Sequence, residues 1–212
     1  MSFKKKIYLS PAGLIISLIQ NFLSFFHQPF MVYGFKNKIQ KKRMMQTRLS
    51  SSVKILSRDN LDIMDCVWIG HFCVLDASNG LRIGEGVQTG SHISIYSHSS
   101  HMSIRLLGSD YLKVDDRAGY IKGAVSIGSY TFLGDSCVVF PGVSIGSGCL
   151  IKAGSVITRS VPDYSIVAGV PATVVGTVKD IDRPFISDPK IRNTYFNLDV
   201  FTENFNKDES NE

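Results

Sequence analysis

At 212 residues and 44% apolar, the chain can bury one good core, so one main domain with appendages is expected rather than two independent domains. The net charge of +5 is uneven: residues 1–60 hold 11 Lys and Arg against one acid, residues 61–160 hold 7 against 8, and residues 161–212 hold 5 against 9. A basic flank on a near-neutral body fits an anionic surface or a plain solvated helix face, and argues against a nucleic-acid partner.

Residues 1–50 read as a basic N-terminal segment built around the apolar run 12–34. Behind Lys4, Lys5 and Lys6 this run imitates a signal peptide, and no small-residue cleavage site follows cleanly. Gln20, Asn21, His27, Gln28 and Pro29 break it before the roughly 20 apolar residues of a spanning helix. An amphipathic helix is expected, lying on a membrane surface or capping the core against a neighbouring subunit.

Residues 51–176 carry an internal repeat, which fixes architecture more firmly than any local signal. From Ile121 an aliphatic residue recurs every six positions through Ile127, Leu133, Val139, Ile145, Ile151 and Ile157. Gly often follows it, and a small or aliphatic residue stands four places on (Val125, Thr131, Cys137, Val143, Cys149, Ser155, Val161). An upstream block has the same period at Ile69 and Leu75, then at Ile83, Thr89 and Ile95, with two extra residues around Asn79-Gly80. That slip reads as a loop bulging from a corner.

A period of six is neither helical nor that of one strand; it is a short strand plus a tight turn. Three such units make a coil of about 18 residues, and coils stack at the ~4.8 Å strand spacing. The expected fold is all-β, a parallel β-helix of hexapeptide repeats with an inward aliphatic column, Gly at the corners and caps at both ends. The repeat stops over 96–120, a loop rich in His, Tyr and charge, where function belongs. Residues 177–212 read as a capping tail whose final KDESNE is disordered. Cys66, Cys73, Cys137 and Cys149 form no C-x-x-C pair and read as reduced packing residues, which places the chain in the cytoplasm.

Three segments, IGEGVQTGSHISIYSHSSH (83–101), VSIGSYTFLGDSCVVFPGVSIGSGCLIKAGSVITRS (125–160) and VPDYSIVAGVPATVV (161–175), resemble the hexapeptide-repeat acyltransferases. Within them the likeness is to the maltose, galactoside, nodulation-factor and polysaccharide O-acetyltransferases, and it covers roughly half the chain. The resemblance implies a left-handed helix, a homotrimer and an acetyl-coenzyme A site between subunits, with a sugar or glycan acceptor and no metal. The family's catalytic His follows an I-Y-x-x-H-like segment, which brings forward His98 first and His101 second. It takes a proton from the acceptor hydroxyl in a direct transfer without an acyl-enzyme.

The resemblance also sets the pantetheine arm along Phe132, Gly134, Ala153 and Gly154, and an oxyanion donor at the Gly134 or Ser136 N–H. Phosphate contacts fall to Arg159 and, because Thr173 replaces a usual Lys or Arg, to Lys179. Arg105, Asp110, Tyr111, Asp115, Asp116 and Arg117 are candidates for acceptor contacts. Three rivals stand beside this reading. They are a sugar N-acetyltransferase, a non-catalytic trimeric scaffold, and a γ-type carbonic anhydrase holding zinc on histidines such as His71 and His92.

Overall fold

The computed structural model describes residues 10–202. Lys4 to Lys6 and the KDESNE end lie outside the described residues. Two compact units divide the chain, Met1–Phe30 and Met31–Glu212.

The described part of the first unit is helix α1 (Pro11–His27). Ser10 caps it by accepting from the Gly13 N–H at 3.2 Å, and Pro11 occupies the first turn, where its missing N–H is no loss. Gln28 is already extended ahead of Pro29, a residue before proline being disfavoured in the helical region.

The second unit is the left-handed parallel β-helix. Among the described residues its first face holds, in spatial order, strands Met31–Asn37, Lys42–Ser50, Trp68–Ile69, Gln88–Thr89, Phe132–Leu133, Leu150–Ile151, Ser165–Gly169 and Ala172–Thr177. The second face stacks Lys54–Leu56, Val74–Asp76, Ser94–Ile95, Val138–Val139 and Val156–Ile157. The third stacks Leu61–Ile63, Leu81–Ile83, Val125–Ile127 and Ser144–Ile145. Register partners are 18 residues apart where the repeat is regular (Phe132↔Leu150, Val138↔Val156) and 20 apart upstream (Val74↔Ser94, Leu61↔Leu81). The two extra residues are the Asn79-Gly80 bulge, with Gly80 at φ +96°.

Both inward columns are present. Ile69, Leu75, Ile83, Ile95, Leu133, Val139 and Ile151 are fully buried, as are Cys137 and Ser155 of the second column. Cys73, Cys137 and Cys149 pack inside as free thiols, their pKa values pushed up by burial; Cys66 is exposed at a corner. The polar members of the column are satisfied: Thr131 Oγ1 donates to the Gly146 carbonyl at 2.7 Å and accepts from the Cys149 N–H at 3.0 Å.

Four features depart from expectation. Ile121 is not in the column; it pairs antiparallel with Ser99 at the neck of the inserted loop, so the regular register resumes at Val125. The glycines after the aliphatic residue do not supply the left-handed corner. That conformation falls two residues later, at Ser136 (φ +60°) and Gly154 (φ +73°), while Gly134 is required because a Cβ there would sit 2.5 Å from the Ala153 nitrogen of the next coil. Residues 31–50, read as part of a helical flank, form a hairpin whose Phe35, Met44 and Leu49 join the core. The repeat also begins earlier than Ile69, with Leu61 and Ile63 fully buried.

Antiparallel hairpins close both ends of the first face, Met31–Asn37 on Lys42–Ser50 and Ala172–Thr177 on Ser165–Gly169. The tail then returns over the stack: Phe196 lies against Tyr130 and Tyr164 at 4.7 and 5.9 Å, and Asn197 donates to the Tyr164 hydroxyl at 2.6 Å. Leu133 sits mid-stack with no exposure, so Leu133→Ala is expected to cost about 2–5 kcal/mol, read as a lowered urea midpoint with unchanged far-ultraviolet dichroism before the transition.

Candidate active site

The inserted loop leaves the coil at the corner between the second and third faces. Tyr96 still donates to the Val139 carbonyl at 3.0 Å, and after the excursion Gly123 donates to the Ser97 carbonyl at 3.0 Å, so the loop departs and returns at one point. Its neck is an antiparallel pair, His98–Ser99 against Ile121–Lys122. Between them stands a short helix, Ser103–Leu107, tied by the Ser103 hydroxyl to the Ala118 carbonyl at 2.8 Å.

Beneath this neck lies a residue that the sequence reading missed. Asp76 ends the second-face strand one coil below and has no exposure. Burial alone would raise its pKa, but hydrogen bonds outweigh that effect: the Ser78 N–H donates to one carboxylate oxygen at 2.9 Å, and the Ser97 N–H and hydroxyl donate to the other at 2.9 and 3.0 Å. The pKa falls to about 2, so the group is a fixed buried anion. His98 Nδ1 stands 2.7 Å from the oxygen that Ser97 binds. That nitrogen is buried and the approach is bent off the line of a straight N–H···O bond, making the contact chiefly electrostatic. Tyr120 stacks on the imidazole at 5.8 Å and 11°. The ring is therefore held on two sides.

His98 lines a cavity of about 360 Å³ with Tyr96, Ser99, Ser100, Val138, Phe140 and Pro141. Tyr120 lines a second cavity of about 430 Å³ with Asp115, Asp116, Arg117 and Lys122. Three of the acceptor candidates meet there. Of the others, Asp110 is paired with Lys113 at 2.7 Å, and Tyr111 lies under the Arg117 guanidinium at 4.6 Å. His101 is exposed and bonds through Nδ1 to the Ser99 hydroxyl at 2.8 Å, with no carboxylate in that contact. His71 bonds to Ser50 at 2.7 Å and His92 stacks on Phe72 at 5.3 Å. Among the described residues no three His, Cys, Asp or Glu side chains are grouped as metal ligands would be.

The cofactor candidates occupy different corners. Phe132 points outward from the first face, and Gly134, Ser136, Ala153 and Gly154 form the corner leading to the second face. Arg159 lies on the following corner, and Lys179, in the short helix Val178–Asp182, rests its amine 5.1 Å over the Tyr164 ring. One part of the expected site is corrected here. The Gly134 N–H donates to the Ile151 carbonyl at 2.8 Å and the Ser136 N–H to the Ser91 carbonyl at 2.9 Å. Both are committed to coil stacking, so neither is free for an oxyanion.

Comparison with known proteins agrees with this architecture. Residues 124–159 match the hexapeptide repeat of succinyl-transferase. Serine acetyltransferase 4 of Arabidopsis thaliana is 28% identical over 71% of this chain and 39% of its own length. The serine acetyltransferase of Buchnera aphidicola is 29% identical over 74% and 50%. The chain thus spans half or less of the length of these relatives. Among solved structures, a maltose O-acetyltransferase from Clostridium difficile superposes with a TM-score of 0.52 at 22% identity, covering 60% of this chain and 64% of that one. A Bacillus cereus N-acyltransferase variant, solved with dTDP and coenzyme A, has a TM-score of 0.52 at 17% identity, covering 66% and 88%. These two show a shared fold.

The Asp76 shift has a sign that can be checked. A folded-state pKa of about 2, below the usual 3.8, adds stability above about pH 4 that is lost as the pH falls through 2. Urea titrations of the wild type should lose stability over that window, and Asp76→Asn should be less stable at neutral pH with a flatter acid limb.

Proposed function

We propose that this chain, a hexapeptide-repeat protein of the acyltransferase family, is an acetyl-coenzyme A-dependent O-acetyltransferase acting on a hydroxyl of a sugar or surface-polysaccharide precursor. The observation that carries the reading is the His98–Asp76 contact at the mouth of the inserted loop. Asp76, held as an anion by Ser78 and Ser97, favours the Nδ1–H tautomer and so leaves Nε2 to accept a proton. As the acceptor oxygen attacks the thioester carbonyl, Nε2 takes its proton, and the buried carboxylate stabilises the imidazolium that forms. The C–S bond then breaks, and the imidazolium returns that proton to the departing thiolate. No group on the protein is acylated.

His98 is preferred to His101 because it is the one supported by a buried carboxylate and by the Tyr120 ring. The cavity bearing Asp115, Asp116, Arg117 and Lys122 suits a hydroxyl-rich acceptor, whose hydroxyls can donate to carboxylates and accept from cations. In our reading the working unit is a cytoplasmic homotrimer. The glycine-lined corner at Gly134 and Gly154 and the His98 corner flank opposite sides of the second face, which fits a cofactor held on one subunit meeting the histidine of the next. Ala153, Gly154 and Arg159 remain proposed contacts for coenzyme A, and Phe132 and Lys179 with them.

The test is steady-state transfer from acetyl-coenzyme A to a panel of sugars and glycosides, with amino sugars included to separate hydroxyl from amine acceptors. His98→Ala should lower kcat by about 10²–10⁴-fold, while His101→Ala should stay within a few-fold of wild type. Equal turnover in wild type and His98→Ala would defeat the assignment. Asp76→Asn should lower kcat by about ten- to a thousandfold, with KM for acetyl-coenzyme A little changed.

A further inference from the structure

We propose that helix α1 lies flat on an anionic lipid surface with its apolar arc buried at the acyl boundary. At 100° per residue, Leu14, Phe25, Leu18, Pro11, Phe22, Ile15, Phe26, Ile19, Ala12, Leu23 and Ile16 follow one another around an arc of about 200° without a polar interruption. Gly13, Ser17, Gln20, Asn21, Ser24 and His27 share the remaining side. Every apolar residue of the helix is on one face, and Gly13 and every polar residue are on the other.

Among the described residues of this unit nothing covers the apolar arc: Leu14, Leu18, Phe22, Phe25 and Phe26 are 61–72% exposed. The phenylalanines touch only edge to face along the helix, Phe22 on Phe26 at 5.4 Å and Phe25 on Phe26 at 5.7 Å. Seventeen residues make a helix of about 25 Å, short of the ~30 Å hydrocarbon core, and no helix among the described residues is long and apolar enough to cross a membrane. A wide apolar arc on a helix too short to span is the pattern of an element lying in the interface.

Charge names the partner. The helix contains no Asp, Glu, Lys or Arg, yet the sequence on either side of it, residues 1–60, carries 11 Lys and Arg against a single acid. Lys4, Lys5 and Lys6 precede it and Lys36, Lys38, Lys41, Lys42 and Arg43 follow. Such flanks add electrostatic attraction to an anionic leaflet and would gain nothing from a neutral one.

The experiment is vesicle co-sedimentation of the full chain, a readout independent of acetyl transfer. With phosphatidylglycerol–phosphatidylcholine vesicles the chain should sediment, with phosphatidylcholine alone it should not, and added salt should release it. Phe22→Asp and Ser24→Asp introduce the same charge on opposite faces, Ser24 lying about 160° around the helix from Phe22. Phe22→Asp should reduce binding about tenfold or more, Phe22→Gln less, and Ser24→Asp little. The proposal is overturned if no anionic vesicle binds the wild type, if the two Asp variants lose binding equally, or if Phe22→Asp alters the oligomeric state by light scattering. That last result would mean that a second copy covers the arc.

Discussion

Close stacking of one coil on the next governs this molecule. Along the strands, backbone N–H groups reach carbonyls in the neighbouring coil at 2.8–2.9 Å (Gly134 to Ile151, Phe132 to Cys149, Val138 to Ser155), and at corners such as Gly128, Gly134 and Gly146 the spacing leaves no room for a Cβ. From that closeness follow the glycines, the small polar residues of the second column and the inward branched side chains. The site inherits it as well. Asp76 can lie beneath His98 because register sets the end of one second-face strand directly below the base of the inserted loop.

The stack also explains how much could be read from residues alone. A side chain that points inward at a fixed position of every hexad leaves a periodic trace, so Ile127 to Ile157 reported the fold, and the bulge at Asn79-Gly80 was visible as a slip in that trace. The hairpin at 31–50 has no such period: its Phe35, Met44 and Leu49 are spaced by a bulged antiparallel register, and the basic residues between them disguise a core-forming element as a polar flank. Ile121 kept the hexad spacing by coincidence, since the loop returns one short strand before the coil does.

For the site, the histidine was legible because an interrupted repeat points to its own interruption. Its carboxylate was not. Asp76 lies 22 residues before His98, a separation of about one coil that local spacing rules do not inspect, and it stands among Ser78, Asn79 and Gly80 in what reads as turn chemistry. Coil arithmetic would have found it: a partner of the loop base must lie about one coil earlier, at the end of the preceding second-face strand. The oxyanion donors failed for the converse reason, because coil stacking claims N–H groups that look free in a one-dimensional reading.

A solenoid of identical coils has no intrinsic length, since each end presents the same ladder that its interior uses. Here the chain reverses direction at both ends of the first face, and the final strands, Met31–Asn37 and Ala172–Thr177, run antiparallel to the strands they cover. An incoming coil would meet a ladder of the wrong polarity on that face. The two hairpins therefore act as chain terminators for assembly, and they make a discrete particle out of a geometry that would otherwise grow end to end as a fibre.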